Sequence, residues 1–262
     1  MAFIQTTCFS HTLGMHVSVN VLLPQKTKEQ MKKRRVNYPT LYLLHGMSDD
    51  HTAWTRLTSI ERYACQYELA VVMPSTALGF YTDMAMGLKW FSYIADELPF
   101  ICRQFFPLSD KAEENFAAGL SMGGYGAAKL ALSRPDVFSH GATLSGATDM
   151  AEMFKERVNE PESEYWKNFW KSIFGDVEKG LKDEDDLLKL ADARKADGRM
   201  PRLYQWCGTD DFLYKHNVSF RNHLQRLGFD LTYSEETGDH TWGYWDAQIQ
   251  KVLEWLPLKK LK

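Results

Sequence analysis

The stretch MHVSVNVLLP alternates along its length, with Met15, Val17, Val19 and Val21 on one side and His16, Ser18 and Asn20 on the other. A period of two predicts an antiparallel strand with one wet face, and Thr6–Ser10 is its expected hairpin partner. The charge run KTKEQMKKRRVN (26–37) follows and reads as a solvated loop between strands. Beyond it the pattern changes. TLYLLHG (40–46) and LAVVMP (69–74) are short unbroken apolar runs, as expected of parallel strands buried on both faces, and NFAAGL (115–120) is a weaker example. Phe91, Ile94, Leu98, Ile101 and Phe105 repeat at helical spacing, and Pro99 is expected to kink or interrupt that helix. FSHGATLSG (138–146) and RLYQWCG (202–208) predict two further strands. Phe220, Leu224 and Leu227 mark a helix stopped by Gly228, and DLTYSE (230–235) is a last strand. Trp245, Ile249, Val252, Leu253 and Leu256 mark a closing helix.

Strands that alternate with helices imply right-handed crossovers, hence an α/β fold with a mostly parallel central sheet and helices on both faces. Residues 149–200 break the alternation. They are highly charged, are interrupted by Pro161 and Gly175, and fall between two core strands. They predict a helical insertion over the carboxyl edge of the sheet, either a lid that shapes a pocket or surface decoration. Residues 1–262 are otherwise expected to form one domain.

Composition narrows the function classes. The length of 262 residues suits one large α/β domain or two small ones, and 44% apolar and 25% charged residues are ordinary for a globular protein. A formal net charge of −3 gives no electrostatic reason to expect a nucleic acid or an anionic membrane as partner. No run approaches 18 apolar residues, so no membrane span is expected. Cys8, Cys65, Cys102 and Cys207 lack zinc-type or Cys-x-x-Cys spacing, which fits reduced thiols in a cytoplasmic protein. The first residues show no basic stretch followed by an apolar run, so no secretory signal is expected. There is no His-Glu-x-x-His motif, and neither a metal nor a cofactor is expected. Eight Trp and twelve Tyr are many, and Tyr81, Trp90, Tyr125, Trp242 and Tyr244 are candidates for pocket walls as much as for core. Exposed aromatics of this kind would also support a homo-oligomer.

FAAGLSMGGYGAAKLAL (116–132) carries Gly-x-Ser-x-Gly centred on Ser121. A strand runs in and a helix runs out, the context of a nucleophile elbow, in which Gly119 and Gly123 remove side chains that would collide in the tight turn. A serine hydroxyl needs a base. In the α/β-hydrolase order of Ser, then Asp or Glu, then His, the base lies downstream, where the chain has His140, His216, His223 and His240. His140 begins a core strand, and His216 and His223 lie on or beside a helix; all three read as structural. His240, in the loop TGDHTWGYW after the last strand, is the expected base. The acid should follow the preceding strand. Spacing from Gly208 favours Asp211 over Asp210, which can cap the next helix, and over Asp239, whose side chain would point away from its neighbour's ring. Two backbone donors would complete an oxyanion hole: the N–H of Met122, and that of Met47 in LLHGMSDD, where Gly46 lets the chain pass close to substrate. His45, at a strand end ahead of the serine, suits a structural hydrogen bond.

Taken together, LYLLHGMSDDHTAW, VVMP, GFYTDM, ADELPFICRQFFP, GLSMGGYGAAKLAL, WCGTDDFLY and GDHTWGYWD resemble the esterase D-type α/β-hydrolases, most closely the small tributyrin esterases (EstA type) of lactic acid bacteria and streptococci. S-formylglutathione hydrolases and some feruloyl esterases are more distant relatives. The likeness runs over nearly the full length and weakens in 150–200. It implies the α/β-hydrolase fold, Ser121 as nucleophile, Asp211 as acid, His240 as base, and the Met47 and Met122 amides as oxyanion donors. It also implies a serine carboxylesterase that acts on a small-molecule ester with a short acyl chain and uses no cofactor. Thioester hydrolysis, feruloyl or acetyl-sugar esters and acyl transfer share the same acyl-enzyme, and a hydrolase-fold binding protein is the non-enzymatic alternative.

Overall fold

Eight strands join in one sheet in the order β1-β2-β4-β3-β5-β6-β7-β8. They are β1 (Ala2–Ser10), β2 (Met15–Leu23), β3 (Thr40–Leu44), β4 (Ala70–Pro74), β5 (Asn115–Leu120), β6 (His140–Leu144), β7 (Arg202–Gly208) and β8 (Leu231–Glu236). The computed structural model describes residues 1–29, 37–157 and 164–261. Pairing is parallel from β4 through β8, and β2 alone of the eight runs against its neighbours, antiparallel to β1 and to β4. The mostly parallel α/β architecture expected from the alternation of elements is therefore the one observed.

The unbroken apolar runs follow from burial on both sides. In β3, Leu41 and Leu43 pack with Val71, Met73, Phe116 and Ala118 on one face, while Tyr42 and Leu44 pack with Val72 and Ala117 on the other. Helices α1 (Ala53–Leu57), α2 (Ile60–Cys65) and α10 (Trp242–Trp255) cover the first face through Trp54, Ile60, Ile249 and Leu253. The second face is covered by α3 (Trp90–Ser92), α4 (Leu98–Phe105), α5 (Met122–Ser133) and α9 (Tyr214–Leu227), through residues such as Ile94, Leu98, Leu130 and Phe220.

Several expectations need correction. The hairpin partner of β2 begins at Ala2, four residues before the expected start, and pairs along its whole length. The wet face of β2 is confined to its first half. Met15 is exposed although it lies on the apolar side, and Asn20 is buried because β2 enters the sheet interior beside β4; its side-chain amide donates to the His51 carbonyl at 3.0 Å. The interruption expected at Pro99 is a change of ladder and not an end of the helix. A π-helical turn, Tyr93–Glu97, joins α3 to α4 and shifts the ladder just where Pro99 has no N–H to give. Phe105, expected in the buried stripe, is exposed. Most of the basic run, residues 30–36, and Pro161 lie outside the described residues.

Among its described residues the 149–200 segment holds three α-helices: α6 (Met150–Arg157), α7 (Glu164–Phe174) and α8 (Leu187–Asp197). Only part of it lies over the sheet edge. Trp170 and Phe174 of α7 pack on Phe80, in the loop after β4, and the backbone of α7 accepts hydrogen bonds from the N–H groups of Ala85 and Met86. Helix α8 instead packs against α5 and α9, so it belongs to the helical layer on the sheet face. The loop before α8 is fixed by a buried charge. Lys129 of α5, 2% exposed, donates to Asp185 Oδ1 and to Thr82 Oγ1, each at 2.6 Å, and Thr82 also donates to Asp185. The Tyr125 hydroxyl donates to the Asp185 carbonyl at 2.8 Å. Burial pushes the Lys129 ammonium down from its usual range, and the Asp185 carboxylate opposes that. Removing one partner strands the other in an apolar interior. Lys129→Met or Asp185→Leu alone should cost about 3–5 kcal/mol in urea unfolding, and the double variant less than either. A double variant as unstable as the sum of the singles would contradict this account.

Candidate active site

The strand β5 ends at Leu120 and α5 begins at Met122, so a single residue, Ser121, turns the chain from one into the other. Its backbone sits at φ +53°, ψ −119°, a region that non-glycine residues rarely occupy. Hydrogen bonds hold it there: Ser121 N–H donates to the Leu144 carbonyl at 3.0 Å, and the Ser121 carbonyl accepts from Tyr125 N–H at 3.1 Å and Ala147 N–H at 3.2 Å. The glycines allow the approach, though not in the way their spacing suggests. A Cβ on Gly119 would strike the Gly123 carbonyl across the turn, but one on Gly123 would strike the Leu44 and His45 carbonyls of the neighbouring strand end. Gly123 thus lets α5 lie against β3.

Asp211 and His240 come from the loops after β7 and β8. Those loops travel together because Thr209 N–H donates to the Glu236 carbonyl and Asp210 N–H to the Gly238 carbonyl, each at 2.9 Å, which carries the pairing of the two strands past the sheet edge. His240 Nε2 lies 3.0 Å from Ser121 Oγ, and His240 Nδ1 lies 2.8 Å from Asp211 Oδ2. The second oxygen of Asp211 accepts from Leu213 N–H at 2.8 Å. Asp211 is buried and His240 half-buried. With the carboxylate on Nδ1, the imidazole carries its proton there and presents a lone pair at Nε2 to the serine hydroxyl. Such a relay can draw the hydroxyl proton away as the oxygen attacks a carbonyl carbon.

The other candidates lie elsewhere. Asp210 is exposed, and Asp239 turns to its own loop, accepting from the Thr241 hydroxyl at 2.8 Å. His140 is wedged edge-on between Phe116 and Trp255. His216 faces Glu156 and His223 pairs with Asp192. Of the suggested wall aromatics, Tyr81, Trp90 and Tyr125 are buried in the core, Trp242 packs edge-on against Trp54, and Tyr244 stacks on Trp206. The rings that touch His240 are Phe212, exposed and centred 4.6 Å away, and Trp245, edge-on at 4.9 Å. In the sequence Phe212 has one signal, its place beside Asp211, and Trp245 reads only as a helix marker.

A family model named Esterase, described as Putative esterase, matches residues 10–256. The chain belongs to the Esterase family. It is 31% identical to an acetyl esterase of Caldicellulosiruptor saccharolyticus over 98% of each chain. Among solved structures it resembles FphF, the fluorophosphonate-binding serine hydrolase F of Staphylococcus aureus, with a TM-score of 0.86 and 36% identity over 97% of this chain and 98% of that one. It also resembles the S-formylglutathione hydrolase FrmB of S. aureus, with a TM-score of 0.84, the same identity and the same coverage. These likenesses make the chain an enzyme, a serine hydrolase of the carboxylesterase class on the α/β-hydrolase fold.

In this esterase the loop after β3, His45–Asp49, passes beside Ser121. A Cβ on Gly46 would lie 3.7 Å from Ser121 Cβ. Met47 N–H donates to no group among the described residues, and Met122 N–H, at the first helical position, has no partner in its own helix. His45 fixes the loop from behind. Its Nδ1 lies 2.7 Å from the Gly46 carbonyl, its Nε2 accepts from Thr76 N–H at 3.1 Å, and its own carbonyl accepts from the Tyr81 hydroxyl at 3.0 Å. Only the neutral imidazole protonated on Nδ1 can make both ring contacts.

Burial accordingly pushes His45 down to about 4, and likewise His140. The unfolded chain, with imidazoles titrating near ~6.5, binds more protons between those limits. Stability contributed by the neutral rings is full above about pH 6.5 and is lost as pH falls towards 4. The unfolding free energy should therefore decline across that window, by at most about 3 kcal/mol for each histidine, and His45→Gln should flatten part of the slope. Urea titrations at several pH values test this; an equal slope in the variant would contradict it.

Proposed function

We propose that this esterase hydrolyses short-chain acyl esters through a covalent acyl-enzyme, with Ser121 as nucleophile, His240 as general base and acid, and Asp211 as the group that orients the imidazole. The reading is carried by the unbroken relay from Asp211 Oδ2 through His240 to Ser121 Oγ, with bonds of 2.8 and 3.0 Å. His240 Nε2 takes the Ser121 proton as Oγ attacks the ester carbonyl. The Met47 and Met122 amides receive the oxyanion, and Asp211 stabilises the imidazolium. His240 then passes its proton to the departing alcohol. Water, deprotonated by the same nitrogen, releases the acid and restores Ser121.

The acetyl esterase likeness supports a short acyl chain, and the motif likeness supports a place with the small tributyrin esterases. Thioester cleavage is the second reading, supported by the likeness to an S-formylglutathione hydrolase, since a thiol leaves the same tetrahedral intermediate. The four unpaired cysteines, two of them buried, suit a reducing cytoplasmic setting.

Ser121→Ala should retain the fold and lose about 10⁴-fold or more of turnover on p-nitrophenyl acetate, together with covalent labelling by a fluorophosphonate. Ester hydrolysis by the folded variant at the parent's rate would end the assignment. Turnover should also fall on the acid side, because a protonated His240 has no lone pair for the hydroxyl proton; a rate independent of pH through the acid range would rule His240 out as base.

A further inference from the structure

Two adjacent carboxylates follow the oxyanion loop, and they are used differently. Asp50 is consumed by its own turn, where Oδ1 accepts from Thr52 N–H at 2.8 Å and from the Thr52 hydroxyl at 2.6 Å. Asp49 accepts no hydrogen bond from any described residue. The neighbouring guanidinium does not take it up, since Arg56 Nε donates to Thr52 Oγ1 at 2.8 Å.

The backbone folds Asp49 back beside Gly46, on the side where Ser121 lies. Ser48 adopts φ +72°, a left-handed conformation that costs a serine energy, and Asp49 N–H closes the turn onto the Gly46 carbonyl at 3.2 Å. The side chain is thereby folded back over Gly46. A methyl group placed on Gly46 would lie 3.6 Å from Asp49 Oδ2 and 3.7 Å from Ser121 Cβ, so the carboxylate and the nucleophile flank the same point. Burial pushes the Asp49 carboxyl up, Arg56 opposes that, and Asp50 adds to it.

This placement does not serve the oxyanion. A negative charge beside the position where another develops raises the barrier. A hydrogen bond donated by the substrate spreads that charge. We infer that Asp49 is a specificity-determining residue that accepts a hydrogen bond from a substrate hydroxyl close to the scissile bond. Acyl esters of polyhydroxy alcohols, the class of glycerol and sugar esters, are thus selected over esters of simple alkanols. The inference rests on Ser121 being the nucleophile.

The test compares kcat/KM for glycerol monoacetate and propyl acetate, which share an acyl group, in the wild type, Asp49→Asn and Asp49→Leu. Asn keeps an acceptor of the same size without the charge, and guards against a Leu variant that fails to fold. The wild type should prefer the glycerol ester, and Asp49→Leu should cut that preference about tenfold, with propyl acetate turning over faster as the charge is removed. Asp49→Asn should fall between. A preference in the folded Leu variant within threefold of the wild type overturns the role of Asp49 when the wild type still labels with a fluorophosphonate at Ser121. A wild type that does not label overturns the nucleophile reading beneath it.

Discussion

Everything at the site hangs on how one strained residue is held. Ser121 takes a backbone conformation that is unfavourable by on the order of 1–3 kcal/mol for a residue with a side chain. It persists because hydrogen bonds from three directions over-determine it: to the Leu144 carbonyl at the end of β6, and from Tyr125 and Ala147 to its own carbonyl. The packing of Gly123 on the Leu44 and His45 carbonyls then brings the elbow against the strand that carries the Met47 loop. One close approach sets both the height of the hydroxyl above the sheet edge and its distance from the Met47 amide's loop. Without it, the imidazole of His240 would face a serine lying along the strand.

Positioning of the other two members is less local. Neither Asp211 nor His240 sits on a regular element, yet their loops are bound to each other by continued strand-like hydrogen bonds, so they act as an extension of the β7/β8 pair. The buried carboxylate divides its two oxygens between Leu213 N–H and the imidazole, which leaves it no freedom to rotate. Phe212 and Trp245 then confine the ring of His240 from two sides.

Much of this was legible in the residues. Unbroken apolar runs at 40–44 and 70–74 identified strands buried on both faces, because that burial removes any need for a polar side. The grouping of Ser121, Asp211 and His240 followed from strand ends and chain order. What stayed hidden was set by partners distant in sequence. Met15 lies on the apolar side of its strand but nothing covers it, and Asn20 is buried because β4 lies alongside. The interruption expected at Pro99 takes the form of a π-turn, which has no mark in local composition. Asp49 gives no sign in MSDD of differing from Asp50; only the left-handed turn at Ser48 separates them. The division of the 149–200 segment between the sheet edge and the face layer likewise depends on tertiary contacts of α8 that its charged sequence does not announce.

The ammonium of Lys129 bears on the history of the chain as well as on its shape. It joins the helix that follows Ser121 to a loop some fifty residues later, with both charges out of reach of water. A lineage that changes either position alone passes through a poorly folded intermediate, whereas a paired exchange for apolar residues does not. Among relatives, positions 129 and 185 should therefore change identity together, and the length of the segment before Asp185 should be free to drift only where that foothold is kept.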